Sequence, residues 1–149
     1  MRSLGFVWES IRSGTIASLV MMPFGFLFKL VELRVGHYGP KLAALMFDQP
    51  TELLLFVQHI VIGWVSTLPL LLILVRCRDS ARPMAVGAAY GAAYYVLVNS
   101  LALPWYFGDP TPWQLGVDFI YPSLLVHVIF GLSIALTARK FVARELEPR

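Results

Sequence analysis

With 149 residues, 58% hydrophobic and 14% charged, the chain carries more apolar surface than a 16.7 kDa soluble globule can bury. Its net charge of +3 comes without a nucleic-acid motif, and its single cysteine, Cys77, cannot form an internal disulfide. Composition therefore excludes a soluble single domain, a disordered chain and a disulfide-stapled module and points to a polytopic membrane protein, whose long apolar runs do not alternate as strands would and so read as all-α.

Crossing a bilayer takes about 20 apolar residues in a helix, and four segments qualify. The first is expected over 13–33, with charge only in its last turn, at Lys29 and Glu32. Those two sit i, i+3 and are expected to pair on the helix surface. Glu9 and Arg12 interrupt the stretch where a signal peptide would need its apolar core, so no cleaved leader is expected. In the loop that follows, His37 reads as a solvated turn residue. Residues 40–47 read as a short helix lying in the interface, with Pro40 in its first turn.

The second span, 53–75, contains no charged residue. Glu52 before it suits a helix N-terminus, and Gln58 inside it is expected to make an interhelical hydrogen bond. The third, 84–104, contains Gly87 and Gly91 at small-xxx-small spacing and a polar Asn99. Gly14 and Ser18 repeat that spacing in the first span, and such faces let helix backbones approach closely. Thr111-Pro112-Trp113-Gln114 reads as a capping box with proline at the first helical position. The fourth span, 119–138, follows Asp118 and is expected to bend at Pro122.

Orientation follows from the basic residues. Arg2, Arg12, Arg76, Arg78, Arg82, Arg139, Lys140, Arg144 and Arg149 fall on the side of the two termini. The other side has Lys29, Arg34 and Lys41, and is rich in Trp105, Tyr106, Phe107 and Trp113. The positive-inside rule places both termini in the cytoplasm, and the aromatic side chains suit the opposite interface.

The chain also reads as two similar hairpins. His59-Ile60-Val61-Ile62-Gly63 matches His127-Val128-Ile129-Phe130-Gly131, and the preceding loops share Asp48-Gln49-Pro50-Thr51 and Asp109-Pro110-Thr111-Pro112. Hairpins entering from one side relate by a pseudo-two-fold axis along the membrane normal. That places His59 and His127 opposite each other, with Gly63 and Gly131 one turn further along the same faces.

Three roles stay open for these histidines. They can be buried hydrogen-bonding residues beside close helix contacts. They can be axial ligands to a haem b, the glycines clearing room for the macrocycle. They can line a proton or small-ion path along the bundle axis. A zinc ion would want at least three protein ligands, and the spans show two. There is no phosphate-binding loop, no His-Glu-x-x-His, and no nucleophile beside a histidine with an orienting partner. A non-enzymatic role without catalytic residues is therefore the expectation.

Residues Leu53 to Arg144 resemble the YagU-type family of small bacterial inner-membrane proteins. The resemblance rests on Gly87 through Asn99, Thr111-Pro112, His127 with its apolar run, the Arg139-Lys140 exit, and His59-Ile60-Val61. Family members carry an acidic residue one turn before the second histidine, where this chain has Ser123, and a longer first outer loop. The family has no established biochemical activity, so the resemblance implies location and span number. The whole reading is a four-span inner-membrane protein of two similar hairpins, both termini cytoplasmic. It acts as a structural, accessory or self-associating component in contact with lipid, as a homo-oligomer or in a larger complex, with no nucleic acid and no cofactor unless haem b is bound.

Overall fold

The computed structural model describes residues 3–35, 38–77 and 82–146, and is helical throughout apart from connections. Arg2, His37, Arg78 and Arg149 lie outside the described residues. Four of the helical stretches are long and apolar enough to cross a membrane. The chain is a multi-pass membrane protein by that measure.

Helix α1 (Ser3–Leu30) starts well before the expected position 13. The charges at Glu9 and Arg12 do not end it, because they sit one turn apart and neutralise each other. Arg12 Nη2 donates to Glu9 Oε1 at 2.6 Å and Arg12 Nε to Oε2 at 3.1 Å, while Ser13 Oγ donates to Oε1 at 2.6 Å. At 1.5 Å rise per residue, 28 residues reach about 42 Å, longer than the roughly 30 Å hydrocarbon core of a bilayer.

The end of α1 corrects one expectation. Leu33 N donates to Phe28 O and Glu32 N to Lys29 O, with Glu32 at φ 62°. This is a Schellman closure with glutamate in the left-handed position that usually takes glycine. Glu32 has therefore left the helix, and it makes no ion pair with Lys29. Helical i, i+3 geometry no longer exists at that point.

Helix α2 (Tyr38–Ala44) is the short helix expected after α1, begun two positions earlier but with Pro40 still in its first turn. Gln58 Nε2 donates to Gly39 O at 2.9 Å and ties α2 to α3 (Glu52–Arg76). Thr51 caps α3 by accepting from Leu54 N, and Glu52 lies in the first turn, where the helix dipole favours an acid.

The third span is continuous from Pro83 to Phe107 but changes character on the way. It runs as α4 (Pro83–Tyr94), then a π-helical segment Tyr95–Ala102, then α5 (Leu103–Phe107). Gly108, at φ 67°, closes it in the left-handed conformation. The one-turn helix α6 (Pro112–Leu115) has the expected capping box between Thr111 and Gln114. Helix α7 (Val117–Thr137) contains Pro122, which is buried, and α8 (Arg139–Leu146) follows after Ala138.

Packing orders the spans. Helix α1 lies against both α3 and α7, α4 lies against α7, and α3 meets α4 only lightly. The buried core gathers where α1, α3, α7 and α8 converge, around Ala17, Leu70, Leu71, Phe130, Ile134 and Ala138. Phe6 and Phe141 meet edge to face at 4.9 Å, so the two ends of the described chain come together at one end of the bundle, the termini end. The outward faces stay apolar and exposed, for example at Leu19, Phe26, Leu53, Val65, Leu97 and Leu125. Apolar side chains facing outward on every span are what lipid contact requires.

Both hairpins close at a glycine crossing. A Cβ on Gly14 would lie 2.8 Å from Gly63 O and 2.9 Å from Thr67 Oγ1. One on Gly87 would lie 2.5 Å from Gly131 O and 2.8 Å from the Ala135 Cβ. The small faces of spans one and three are thus used within the chain. The packing between hairpins is not two-fold: α1 lies along α7, while α3 and α4 lack the matching contact.

Candidate functional site

His127 projects from α7 into a buried polar seam. One turn earlier on the same helix lies the Ser123 carbonyl, 2.6 Å from Nδ1. A carbonyl only accepts, so Nδ1 carries the proton and donates. That leaves Nε2 as an acceptor, and Asn99 Nδ2 donates to it across 3.0 Å. The imidazole is neutral, and both ring nitrogens are used.

The π-helical segment explains how Asn99 and the tyrosines reach this ring together. Widening the turn to i→i+5 bonding, as in Leu103 N to Val98 O, brings residues five apart onto one face. Tyr94 stacks on His127 at 5.8 Å and 22°, and Tyr95 lies tilted at 5.8 Å. Tyr94 in turn accepts a hydrogen bond from Ser66 Oγ at 2.9 Å, and Tyr90 donates to Ser66 O at 2.5 Å. These two tyrosines supply the hydrogen bonds between α3 and α4, where backbone contact is slight.

His59 lies on α3 and faces α1. Its Nε2 donates to the Ser18 carbonyl of α1 at 3.2 Å. Two hydroxyls in this region, Ser18 Oγ and Ser100 Oγ, are fully buried and have no hydrogen-bond partner.

Gly63 and Gly131 do not face open space. A Cβ on Gly63 would collide with the Ser18 hydroxyl and approach Gly14 O at 3.2 Å, and one on Gly131 would collide with Gly87 O. The volume that a macrocycle would need is filled by the backbones of α1 and α4. His59 Nε2 points at a carbonyl and His127 Nε2 at an amide, so the two rings present no shared vacant centre. In this arrangement His59 Nε2, both nitrogens of His127 and the space beside Gly63 and Gly131 are taken up by protein groups. Among the described residues there is no group of three or more His, Cys, Asp or Glu side chains able to hold a metal ion.

Two further polar clusters join residues far apart in the sequence. At the termini end, Glu9 is 4% exposed and bonded as described, and Arg12 also donates to Thr137 O at 2.7 Å. One guanidinium thereby joins a buried carboxylate on α1 to the last turn of α7. Ser10 Oγ donates to Trp64 O, and Trp64 Nε1 donates to Thr15 Oγ1 at 2.7 Å, which fixes α1 on α3. At the loop end, Lys41 Nζ meets Asp109 Oδ2 at 2.5 Å and Oδ1 at 2.6 Å. Lys41 also lies over the rings of Tyr38 and Phe107, which stack at 5.9 Å. Burial, with the neighbouring Asp109 carboxylate, pushes the Tyr38 phenol above its ordinary pKa. The available signal for this cluster was a lone lysine in one loop and an acid in the other.

Comparison with protein-family models, with curated proteins and with solved structures finds no match to this chain.

Proposed function

We propose that this chain is a non-enzymatic, structural or accessory component of a bacterial inner membrane, built from two similar hairpins with both termini cytoplasmic. The observation that carries this reading is the fate of the membrane histidines. Both nitrogens of His127 and the Nε2 of His59 are spent on partners within the bundle. Polar groups in a membrane that bond neighbouring helices act as glue. The matching glycine crossings support a repeat at the level of the hairpin. The excess of basic residues at the termini end supports the orientation. The resemblance to the YagU-type family belongs to the same proposal, and Ser123, in place of the acid, contributes its carbonyl to His127.

A second reading, a proton path through both histidines, draws on their place as ionisable residues in the long apolar helices α3 and α7. One set of measurements separates the readings. The purified protein is expected to be colourless before and after dithionite reduction. Its His59→Asn and His127→Asn variants are expected to melt at lower temperature while leaving proton flux into liposomes at the background level. A Soret band lost in either variant would replace the structural reading with electron transfer. Flux that both variants abolish without unfolding would replace it with conduction. Orientation is tested by Cys77, the natural single thiol, which is exposed at the end of α3. A membrane-impermeant maleimide should label it only in inside-out vesicles.

A further inference from the structure

We propose that α8, with the neighbouring span ends, forms a docking surface for the headgroups of anionic phospholipids. The inference rests on the multi-pass reading above and names a partner for its basic end. Helix α8 is amphipathic. Ala138 and Phe141 are buried and Val142 is partly buried, which seats one face against the core. Phe141 locks that face edge-on to Phe6 of α1. The opposite face presents Arg139, Lys140 and Arg144, all exposed.

Depth and charge select the occupant. Arg139 follows the last residue of α7 by two positions, so the basic face begins where the fourth span ends. Arg76, the last residue of α3, and Arg82, immediately before α4, are exposed at the same end. None of these five cations makes an ion pair with a described residue. The buried acid at this end, Glu9, is already satisfied by Arg12 and Ser13. Among the described residues the result is a basic rim without ion pairs, with Glu145 the acid on α8 itself, at the span ends and on a helix whose rotation is fixed by packing. Phosphate-bearing, negatively charged headgroups match it in charge and in position. Arg12 contributes to that fixed geometry by holding Thr137 O where α7 gives way to α8.

The test uses the full-length protein reconstituted in phosphatidylcholine vesicles carrying trace spin-labelled phosphatidylglycerol or spin-labelled phosphatidylcholine. Electron paramagnetic resonance reads the fraction of each label held at the protein surface. The expected result is a preference for phosphatidylglycerol of about three- to fivefold, as a few basic side chains near a surface provide. That preference should fall to about onefold in the Arg139→Gln/Lys140→Gln/Arg144→Gln variant, and also in about 1 M salt, where the screening length is about 3 Å. Helicity and melting temperature should stay at the parent values, because the three side chains are exposed. Equal retention of both labels by the parent overturns the proposal, as does an unchanged preference in the folded triple variant. Retention of a duplex oligonucleotide by the solubilised protein, without lipid preference, overturns it in favour of a nucleic-acid partner. Failure of the parent to float with vesicles is a separate result and sinks the membrane-spanning reading instead.

Discussion

Replacing Gly91 by alanine tests whether the α4–α7 crossing holds the polar seam in register. The new Cβ would collide with His127 O and would lie 2.7 Å from His127 C and 2.9 Å from Val128 Cα. All three are backbone atoms of α7, so no side-chain rotation relieves the overlap. Ordinary carbon contacts need about 3.5–4.0 Å, which forces the helices apart by about 1 Å. A shift of that size takes Asn99 Nδ2, now 3.0 Å from His127 Nε2, beyond hydrogen-bonding distance. Overpacking costs about 1–3 kcal/mol, and the lost hydrogen bond adds about 1 kcal/mol. A loss of about 3 kcal/mol in a chain of this size corresponds to roughly 6–12 °C in melting temperature. The control is Gly39→Ala in α2, where a Cβ meets nothing within 4 Å. Alanine there should stay within about 1 kcal/mol of the parent, because helix propensity favours it while the ring of the following Pro40 crowds a Cβ in helical conformation. Melting would be followed by circular dichroism in one detergent. A Gly91→Ala protein that melts with the parent would refute the close crossing and the reasoning built on it.

Three other outcomes follow from the structure. Glu32→Gly relieves a left-handed glutamate at the end of α1 and should stabilise the protein by about 1 kcal/mol; a loss of stability would mean that the Schellman closure is wrong. Arg12→Ala leaves the Glu9 carboxylate buried without its cation, and should cost about 2 kcal/mol, less than a fully buried pair because the Arg12 side chain is 43% exposed. The Glu9→Gln/Arg12→Gln double variant should recover part of that loss, and a double variant worse than Arg12→Ala would contradict the account. At the loop end, folding favours the neutral Tyr38 phenol, whose pKa lies above its ordinary value near 10. The native state then holds more protons than the unfolded chain above that pH, so this contribution is complete below pH 10 and fades as pH rises beyond it. Tyr38→Phe should flatten the alkaline loss of protection at α2 amides seen by hydrogen exchange, and an identical alkaline profile in the variant would remove Tyr38 from the Lys41–Asp109 cluster.

Much of the architecture is legible along the chain because the bilayer imposes simple rules. Apolar length marks the four spans within a few residues at most ends. Local chemistry marks the capping box at Thr111, the acid at the start of α3 and the small faces at Gly14 and Gly87. The start of α1 is not legible in the sequence, because a charged pair looks like a boundary until Arg12 and Glu9 are seen to neutralise each other. The fate of Glu32 is not legible either, because leaving the helix depends on backbone closure rather than on charge spacing.

The candidate site divides in the same way. His59 and His127 stand out in one dimension, since an ionisable residue in a span is costly and conspicuous. Their partners do not. Ser18 and Ser123 take part through carbonyls, which every residue has, and Asn99 comes to His127 only because a π-helical segment widens the turn. The room beside the histidines was also a tertiary question. Glycine in a span allows either a cofactor or another backbone to approach, and here α1 and α4 fill the notches. Lys41 and Asp109 are distant in sequence and join only when α2 reaches the end of α5. Sequence by itself thus determined the number of spans and their lipid-facing character, because burial in a bilayer acts on each segment separately. Only the tertiary structure decided which helices touch and which polar groups are satisfied, because those depend on close packing between segments that no local pattern encodes.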